Sequence, residues 1–290
     1  MKRVLVIGAS GKVGSNVVKA LDDNHEGIEV VLATSQKENL EKWQAAGRNA
    51  VMLDLNNPAT FEKALNGIER IFLLTGYTAD MLFQSKVLID SAKDAGVRHI
   101  VHLGTYTSRR DLLPHFVWHD MIETYLAASG IAWTNIHPNV ITDSIKNMVT
   151  VTDTEIFLSS WGNVPQGYAC AKDIGKVVAT VLREGPEKHA GKDYYLSIDV
   201  LNATELADIF AEITKKPVHI EYMTKETMEK WFENIPSAST RIYMESAVRT
   251  MELTQKEEFK AQTAMKDDVL TVTGCAGTTM KKWVEQNYGK

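Results

Sequence analysis

Residues 4–18 read VLVIGASGKVGSNVV and place three glycines, Gly8, Gly11 and Gly14, directly after a short apolar run. The run is rich in β-branched residues, which favours a strand buried on both faces, and the residues after it have helical spacing. Gly8 would permit a tight strand-to-helix turn, Gly11 a close approach of the backbone to a pyrophosphate, and Gly14 close packing of helix on sheet. Because a helix N-terminus offers free N–H groups to an anion, the pattern predicts a dinucleotide phosphate site at this turn.

The first half of the chain repeats this alternation of strand and helix. Strand-like runs include IEVVLAT, RIFLLTG and HIVHLGT, and helix-like segments such as KENLEKWQAAG and MLFQSKVLIDSAKDAG lie between them. Turn signals fall at the joints, with Gly47 and Gly96 at helix ends. Repeated β-α units are typical of a parallel sheet with helices on both faces. The predicted fold class is therefore α/β, with a Rossmann-type doubly wound parallel sheet.

Beyond about residue 140 the alternation loosens, which predicts a second, smaller part of the chain. We expect residues 1–150 to form an NAD(P)-binding Rossmann domain and residues 151–290 a smaller α/β C-terminal domain that caps the substrate. In NATELADIFAEITKK, Thr204 is a candidate N-cap of a helix. A helix expected around residues 171–184 should pack back on the first domain through one apolar face, formed by Ile174, Val177, Val178 and Val181.

Composition and charge narrow the function classes. The 32 Lys and Arg against 37 Asp and Glu give a net charge of -5, which gives no electrostatic support for nucleic-acid binding. Cys170 and Cys275 are the only two cysteines, a number that favours a reduced intracellular protein, and neither lies in a CxxC pair. The first apolar run is too short for a signal peptide, and no segment approaches the roughly 20 apolar residues of a membrane span. We expect a cytoplasmic protein that binds neither nucleic acid nor membrane.

The end of the second strand reads LATSQKE and bears on the choice between NAD and NADP. An Asp or Glu at the strand end would bond the ribose 2′-OH and repel a 2′-phosphate, and neither is present there. The hydroxyls of Thr34 and Ser35 and the ammonium of Lys37 could instead donate to a phosphate, which favours NADP (NADPH) over NAD. Alternatively, Lys37 is a solvated residue of a first helical turn. After the third strand, Asp54 is either an acceptor for the adenine amino group or a turn or capping residue.

Five motifs follow one another along residues 3 to about 183. They are VLVIGASGKVG, VMLDLNNPATFEKALNGIERIFLLTG, SAKDAGVRHIVHLGT, YLAASGIAWTNIHPN and AKDIGKVVATVL. In this order they resemble the NmrA-like family of atypical short-chain dehydrogenases/reductases. The resemblance implies a Rossmann domain with a small α/β C-terminal domain. Similar members include bacterial reductases of quinones, triphenylmethane dyes and azo dyes, and also non-enzymatic NADP sensors that bind a transcription factor. Function has to be argued from the site, because one fold hosts many activities.

The predicted cofactor site runs along the carboxyl ends of the strands, where parallel sheets bind ligands. By family resemblance, the Pro138–Asn139 pair should flank the nicotinamide carboxamide. The full set of expected cofactor-binding residues is Gly8, Ser10, Gly11, Lys12, Val13, Gly14, Thr34, Ser35, Lys37, Asp54, Leu55, Thr75, Gly76, Gly104, Thr105, Pro138 and Asn139.

Ordinary short-chain dehydrogenases carry Tyr-x-x-x-Lys in the helix after the fifth strand. Aligned on ETYLAASG, this chain reads HFVWH there, with His115 at the Tyr position and His119 at the Lys position. Both lie on one helical face, and histidine titrates near neutral pH, so each is a catalytic candidate or a bystander. No HExxH pattern accompanies them, so no metal site is predicted. Tyr106, in LGTYTS, is a third catalytic candidate or a surface loop residue.

Two functions remain. The preferred one is an NADPH-dependent reductase of a small conjugated or aromatic acceptor, such as a quinone, an azo compound or a triphenylmethane dye. Electron-poor acceptors of this kind need little acid catalysis, and the cofactor carries the difficult chemistry. The alternative is a non-enzymatic NADP-binding redox sensor or regulatory protein, which the missing Tyr-Lys pair favours. The expected partner is a small aromatic substrate, with a homodimer as one option.

Overall fold

The computed structural model describes residues 1–25, 27–107, 113–258 and 263–289. The strands are β1 Lys2–Val6, β2 Ile28–Thr34, β3 Ala50–Met52, β4 Arg70–Leu73, β5 His99–Leu103, β6 Ala132–Pro138, β7 Val140–Ile141, β8 Val149–Val151, β9 Ile156–Ser160, β10 Gln166–Ala169, β11 Lys192–Ser197, β12 Asp199–Leu201, β13 Val218–Tyr222 and β14 Lys266–Asp267. The α-helices are α1 Lys12–Asp23, α2 Lys37–Ala45, α3 Phe61–Leu65, α4 Met81–Asp94, α5 Pro114–Ala128, α6 Ala171–Glu184, α7 Pro186–His189, α8 Ala203–Thr214, α9 Lys225–Glu233, α10 Ala238–Gln255, α11 Asp268–Thr273 and α12 Met280–Tyr288.

The main sheet has its strands in the order β14-β11-β6-β5-β4-β1-β2-β3. Pairing is parallel from β3 through to β11, whereas β14 runs antiparallel to β11. The order reverses at β1 and β4, so the connections wind in both directions and cover both faces. This confirms the α/β, Rossmann-type doubly wound fold. All the parallel strands end at one edge, called the carboxyl edge below, where such sheets bind ligands.

Two apolar layers cover the sheet. Alternate residues of each buried strand point to opposite faces, so Val4 and Val6 of β1 join one layer and Leu5 joins the other. Helices α1 and α6 cover the first face, and α3, α4 and α5 cover the second. Most positions of the core strands are therefore buried and apolar on both faces, which explains the nearly continuous apolar runs in the sequence.

Helix α6 packs against α1 at very short range. Its apolar face is buried, including Ile174 and Val178. A Cβ on Gly175 would lie 2.7 Å from the backbone carbonyl carbon of Asn16. A glycine at this point therefore lets the two helix backbones approach each other.

Arg70 of β4 is 1% exposed and closes the carboxyl end of α6. Its Nη1 donates to the carbonyl oxygen of Leu182 and, over 3.0 Å, to that of Arg183. The last carbonyls of a helix lack helical partners and carry the negative end of its dipole, so they suit a cation. Carboxylate oxygens of Glu69 and Glu187 lie 3.7 and 3.9 Å from the guanidinium. These partners offset the cost of burying the charge.

The residues after β6 also build two small sheets, β12-β10-β7 and β13-β9-β8. Helices α8 and α12 pack with them around an apolar cluster that includes Leu158, Phe210 and Trp283. The predicted division at residue 150 stays a prediction, and the main sheet takes β11 and β14 from beyond it. Within the described residues, no α-helix combines the length and the apolar composition that a membrane crossing requires.

The start of α8 differs from the expectation from sequence. Asn202, and not Thr204, is the N-cap residue. Its side chain accepts from the Glu205 N–H over 2.9 Å, and the Glu205 carboxylate accepts from the Asn202 N–H over 2.8 Å. This reciprocal capping box satisfies two free N–H groups at once, whereas Thr204 bonds instead to the Asn163 side chain.

Candidate active site at the carboxyl edge

The glycine-rich turn joins β1 to α1 at the carboxyl edge. Gly8 has a φ of +68°, a left-handed conformation that favours glycine. The Gly11 N–H donates to the Gly8 carbonyl oxygen over 2.9 Å. A Cβ on Gly14 would lie 2.0 Å from that same oxygen. The path of the backbone therefore requires glycine at positions 8 and 14.

The turn leaves the N-terminus of α1 open. Gly11 is the N-cap residue and, as a glycine, provides no side-chain capping hydrogen bond. A Cβ on Gly11 would come 3.3 Å from the Gly8 carbonyl oxygen and otherwise point into open space among the described residues. Ser10 and Lys12 are exposed, whereas Val13 is buried. The first N–H groups of α1 are thus available to an anion such as a pyrophosphate.

The end of β2 presents one buried hydroxyl and two exposed donors. Thr34 is buried, and its Oγ1 accepts from the Gln36 N–H over 3.0 Å. Ser35 and Lys37 are exposed, and Lys37 is the first residue of α2. Its Nζ lies 3.5 Å from Oε1 of Glu41 in a solvated pair of the kind that contributes little stability. Ser35 and Lys37 are therefore free to reorient toward a phosphate, while the Thr34 hydroxyl holds the turn.

Asp54 follows β3 and has a turn role. Its Oδ1 accepts from the Asn56 N–H over 2.9 Å, and its carbonyl oxygen accepts from the Asn57 N–H over 2.8 Å. This is the side-chain pattern that Asp commonly adopts in turns. Leu55, next to it, is half-buried. A contact of Asp54 or Leu55 with adenine stays a prediction.

The ends of β4 and β5 lie side by side at the carboxyl edge. Thr75 is half-buried and Gly76 is exposed, two and three residues beyond β4. Gly104 is buried, Thr105 is half-buried, and both follow β5 directly. These four predicted cofactor residues thus share one edge with the glycine-rich turn.

Pro138 ends β6, and Asn139 turns its side chain into the protein. Asn139 is 5% exposed, and its Nδ2 donates to Ser197 Oγ over 3.3 Å. Its Oδ1 accepts from the Val140 N–H over 3.0 Å, and a Cβ on Gly167 would lie 2.2 Å from Nδ2. The Asn139 amide therefore has protein partners, and a contact with the nicotinamide carboxamide stays a prediction for both residues.

His119 lies on the face of α5 that covers the sheet. It is 9% exposed, and its ring centroid lies 5.6 Å from that of His102 in β5. Burial, together with the nearby His102, His115 and His137, lowers the pKa of His119 well below its ordinary value. Near neutral pH its imidazole is therefore uncharged, and it can form hydrogen bonds but is a poor proton donor.

His115 lies in the first turn of α5 and contacts a different element. Its Nδ1 is 2.7 Å from Ser246 Oγ in α10. Its ring centroid lies 5.1 Å from that of Tyr243, also in α10. Burial lowers the pKa of His115 to about 4. His115 therefore contacts α10 and His119 contacts β5, although His115 lies near enough to help lower the pKa of His119.

Helix α10 brings an aromatic side chain to the carboxyl edge. The Tyr243 ring lies 5.1 Å from that of Tyr77 and 6.3 Å from that of Trp118. The Asp80 N–H donates to Ser239 Oγ over 3.0 Å, which ties α10 to the segment after β4. Tyr77, Trp118 and Tyr243 are called the aromatic wall below. Tyr77 is 63% exposed, so one part of this wall is open to a ligand.

Tyr106, the third catalytic candidate, stands on the other side of the edge. Its N–H donates to the Pro138 carbonyl oxygen over 2.9 Å, so the ends of β5 and β6 are joined. Its half-buried ring lies 5.2 Å from that of Tyr195 in β11. Burial, with Asp268, raises the pKa of Tyr106, so its phenol keeps its proton near neutral pH. The three catalytic candidates thus have three separate environments.

The structure also contains a polar group that the sequence predictions missed. His137 of β6 lies between Thr105, Asp193 of β11 and Glu123 of α5. Its Nδ1 is 3.0 Å from the Thr105 carbonyl oxygen and 3.6 Å from Oε1 of Glu123, and its Nε2 is 3.1 Å from Oδ1 of Asp193. The Tyr195 ring stacks on it at 4.6 Å. These residues are called the His137 cluster below.

Among the described residues, carboxylates lie within ion-pair distance of His137 but not of His115 or His119. One ligand-type atom from each of Glu123, His137 and Asp193 lies within 4.8 Å of the others. Both His137 nitrogens are, however, already within hydrogen-bond distance of protein oxygens. The cluster is therefore organised around a hydrogen-bonded imidazole.

A signal for this cluster is present in the sequence. The buried strand segment HIVHLGT carries two histidines and TNIHPN carries one, and burying such a ring is costly unless it has partners. Strand alternation places His102 and His137 on the face covered by α5. Glu123 lies four residues after His119, on the same helical face. Polar residues at core positions of two neighbouring strands would have indicated a buried polar site.

Comparison with known proteins agrees with this architecture. The sequence pattern of the NmrA-like family matches residues 1–283, which confirms the resemblance of the five motifs. The NAD(P)H azoreductase of Xenophilus azovorans is 25% identical over 227 residues, which cover 77% of this chain and 78% of that protein.

Two solved structures share the fold over nearly the whole chain. The triphenylmethane reductase of Citrobacter sp., complexed with NADP(H), has a TM-score of 0.79 at 21% identity and covers 99% of both chains. NmrA, a negative transcriptional regulator, in complex with NADP, has a TM-score of 0.76 at 16% identity, covering 99% of this chain and 95% of that one. At these identities the likeness concerns the fold alone.

Proposed function

The chain belongs to the NmrA-like family, and on that premise we propose that it is an NADPH-dependent reductase. The proposed reaction transfers hydride to a small conjugated or aromatic acceptor of the quinone, azo or triphenylmethane-dye type. The observation that carries the proposal is the open N-terminus of α1 at the same edge of the sheet as the aromatic wall. An anion site beside an exposed aromatic surface suits a dinucleotide and a flat acceptor.

The residues at the edge fit NADPH. The uncapped N–H groups of α1 and the open space at Gly11 suit the pyrophosphate. Ser35 and Lys37 are exposed donors at the place where a 2′-phosphate would be selected. This favours NADPH over NADH. The bound nicotinamide would supply the hydride, and the protein would orient the acceptor and exclude water.

We propose that Tyr106 is the proton donor to the acceptor. His115 and His119 are neutral near pH 7 because burial lowers the pKa of each, so we assign them positioning roles. Tyr106 keeps its phenolic hydrogen and stands at the end of β5. It can donate a hydrogen bond to an acceptor that gains negative charge. An electron-poor acceptor needs little more than this.

We assign the capping role to α10. It is tied to the segment after β4 through Ser239 and to the first turn of α5 through Ser246. These contacts hold Tyr243 over the carboxyl edge, where its ring can stack on a flat acceptor. This supports the expected capping of the substrate by the C-terminal part of the chain.

A second candidate function is an NADP-binding sensor. The fold likeness to NmrA in complex with NADP supports it, as does the neutral state of His115 and His119, the residues expected from sequence at the Tyr-Lys positions. The two candidates share a cofactor site and differ in turnover.

Acceptor-dependent consumption of NADPH separates them. Purified protein would be mixed with NADPH and a panel of quinones, azo dyes and triphenylmethane dyes, and the loss of NADPH absorbance followed. We expect turnover with at least one acceptor class. Gly11→Asp places a carboxylate at the pyrophosphate position and should abolish turnover by preventing cofactor binding. Saturable NADPH binding with no consumption on any acceptor would favour the sensor.

A further inference from the structure

The ring of His137 lies between two oxygen atoms that accept hydrogen bonds. Nδ1 is 3.0 Å from the carbonyl oxygen of Thr105, which cannot donate, and Nε2 is 3.1 Å from Oδ1 of Asp193. That Asp193 oxygen also accepts from Nδ2 of Asn135 over 3.0 Å, as an ionised carboxylate does. A neutral imidazole has one donor and one acceptor nitrogen, so it would turn a lone pair toward one of these oxygens. Both contacts are favourable when both ring nitrogens carry hydrogen.

We propose that His137 is a buried imidazolium that positions the Gly104–Tyr106 segment and thereby makes cofactor binding depend on its protons. His137 is 3% exposed, so its charge needs compensation within the protein. Asp193 supplies a negative charge at hydrogen-bond distance, and Oε1 of Glu123 lies 3.6 Å from Nδ1. The Tyr195 ring stacks on the imidazole at an interplanar angle of 15°, a geometry that favours a cation.

These partners outweigh the other groups around the ring. Burial acts to lower the pKa of His137, but Asp193, Glu123 and the Thr105 carbonyl raise it, and the net change is upward. Within the described part of the chain, four other titratable groups lie near the ring. His119 of α5 and His102 of β5 are buried and uncharged near neutral pH. Tyr106 after β5 and Lys266 of β14 contact the Tyr195 ring.

The position of the cluster gives His137 its role. The Gly104 N–H donates to the Ile136 carbonyl oxygen, and the Tyr106 N–H donates to the Pro138 carbonyl oxygen, both over 2.9 Å. Between these two backbone hydrogen bonds, the contact of His137 with the Thr105 carbonyl oxygen fixes the Thr105 peptide. A Cβ on Gly104 would lie 2.5 Å from Oε1 of Glu123, so glycine is needed here to admit the carboxylate.

Loss of a proton from His137 would release one of its two partners. If Nδ1 loses its hydrogen, the Thr105 peptide is freed at the edge where the proposed function places the nicotinamide. If Nε2 loses it, a lone pair faces the Asp193 carboxylate. The effect on the cofactor rests on that proposed function, whereas the protonation state of His137 does not.

Nitrogen NMR of the histidine rings tests the protonation state directly. We expect both His137 nitrogens to be protonated at about pH 7 and to deprotonate above the ordinary pKa of 6.5. The His137 signals are identified by their loss in His137→Gln. Asp193→Asn, at a partly exposed position, provides a second identification, because it should move only the His137 titration to lower pH. One unprotonated His137 nitrogen at about pH 7 would overturn the proposal.

NADPH affinity tests the positioning role. Kd would be measured from about pH 7 upward, where a phosphate with a pKa of about 6 is already ionised. We expect wild-type affinity to weaken about tenfold as His137 deprotonates, and His137→Gln to start about tenfold weaker and to lack this step. His99→Gln is the matched control: His99 is also buried in a core strand, but it bonds to Thr134 at the other end of β5, so the step should remain.

The outcomes separate this proposal from the reductase. A step in affinity that persists in His137→Gln, or wild-type affinity without a step, would overturn the positioning role. A step that depends on His137 in a protein that reduces no acceptor would leave the role intact and refute the reductase.

Discussion

Three of the histidines near the carboxyl edge differ in protonation state because the groups around their rings differ. His115 and His119 are buried with a hydroxyl or another imidazole beside them, and burial lowers the pKa of each. His137 is buried as deeply, but two carboxylates lie beside it and its pKa is raised. Since desolvation disfavours the charged form and nearby opposite charge favours it, the partners decide which histidine is cationic.

At the scale of one residue, the proposed preference for NADPH over NADH depends on Lys37. Lys37→Ala removes an exposed ammonium at the start of α2 that we propose bonds the 2′-phosphate. We expect NADPH binding to weaken about tenfold and NADH binding to stay unchanged, because NADH lacks that phosphate. Fluorescence titration with each cofactor measures both values.

Lys42→Ala is the control for this change, since Lys42 is an exposed lysine in the last turn of the same helix. It removes the same charge from α2 and should affect neither cofactor. Equal weakening of NADPH and NADH by Lys37→Ala would contradict a role in phosphate selection.

At the scale of elements, helix α5 shows that two residues on one helical face can contact different parts of the protein. His115 and His119 are four residues apart, a spacing that places both on one face of α5. In the structure, His115 contacts Ser246 of α10 at the start of α5, whereas His119 contacts His102 of the sheet. One helix thus serves two surfaces, because each turn meets a different neighbouring element.

The junction between β4 and α6 depends on Arg70. Arg70→Met keeps an unbranched side chain but leaves the carbonyls of Leu182 and Arg183 without their donor. We expect the free energy of unfolding to fall by about 3 kcal/mol, because a buried charge partner is lost at a helix end. Urea unfolding at neutral pH measures the change.

Arg98→Met gives the matched comparison. Arg98 lies 3.9 Å from Glu69 and 3.5 Å from Glu187, the same two carboxylates, but its side chain is 62% exposed. It should cost less than about 1 kcal/mol, as exposed ion pairs do. Similar losses in the two variants would show that Arg70 acts through surface charge and not through the end of α6.

At the scale of the whole molecule, the fold could be predicted from sequence because the patterns that specify it lie within short segments. The glycine-rich turn and the run of β-α units specify a parallel sheet, and the apolar spacing of residues 171–184 marks a helix with one buried face. Much of the site could not be predicted from such short patterns. The His137 cluster joins α5, β6 and β11 through Glu123, His137 and Asp193, and no local pattern records that these residues meet.

Stability of the whole chain should fall on mild acidification. The pKa values of His99 and His102, ordinarily 6.5, are lowered to about 4 and about 3, chiefly by burial. Below 6.5 the unfolded chain binds protons that the folded chain does not, so stability rises with pH in this range and is lost from about pH 6.5 down to about pH 4. Each such histidine contributes up to about 1.4 kcal/mol per pH unit.

Urea unfolding at a series of pH values measures this slope. His99→Gln removes one titrating group and should make the slope shallower, whatever its effect on stability at neutral pH. A free energy of unfolding that stays constant between about pH 6.5 and about pH 5 would contradict the neutral, buried state of these histidines.

Transfer of deuterium tests the central claim, hydride transfer from NADPH to an acceptor, most directly. The measurement uses NADPH with deuterium at both C4 positions and a triphenylmethane dye, whose central carbon would keep the label in a bond that does not exchange with water. We predict that the bleached dye carries one deuterium by mass spectrometry and that NADPH is consumed in equal amount. Bleaching without the label, or tight NADPH binding with neither bleaching nor consumption on any acceptor, would contradict the account.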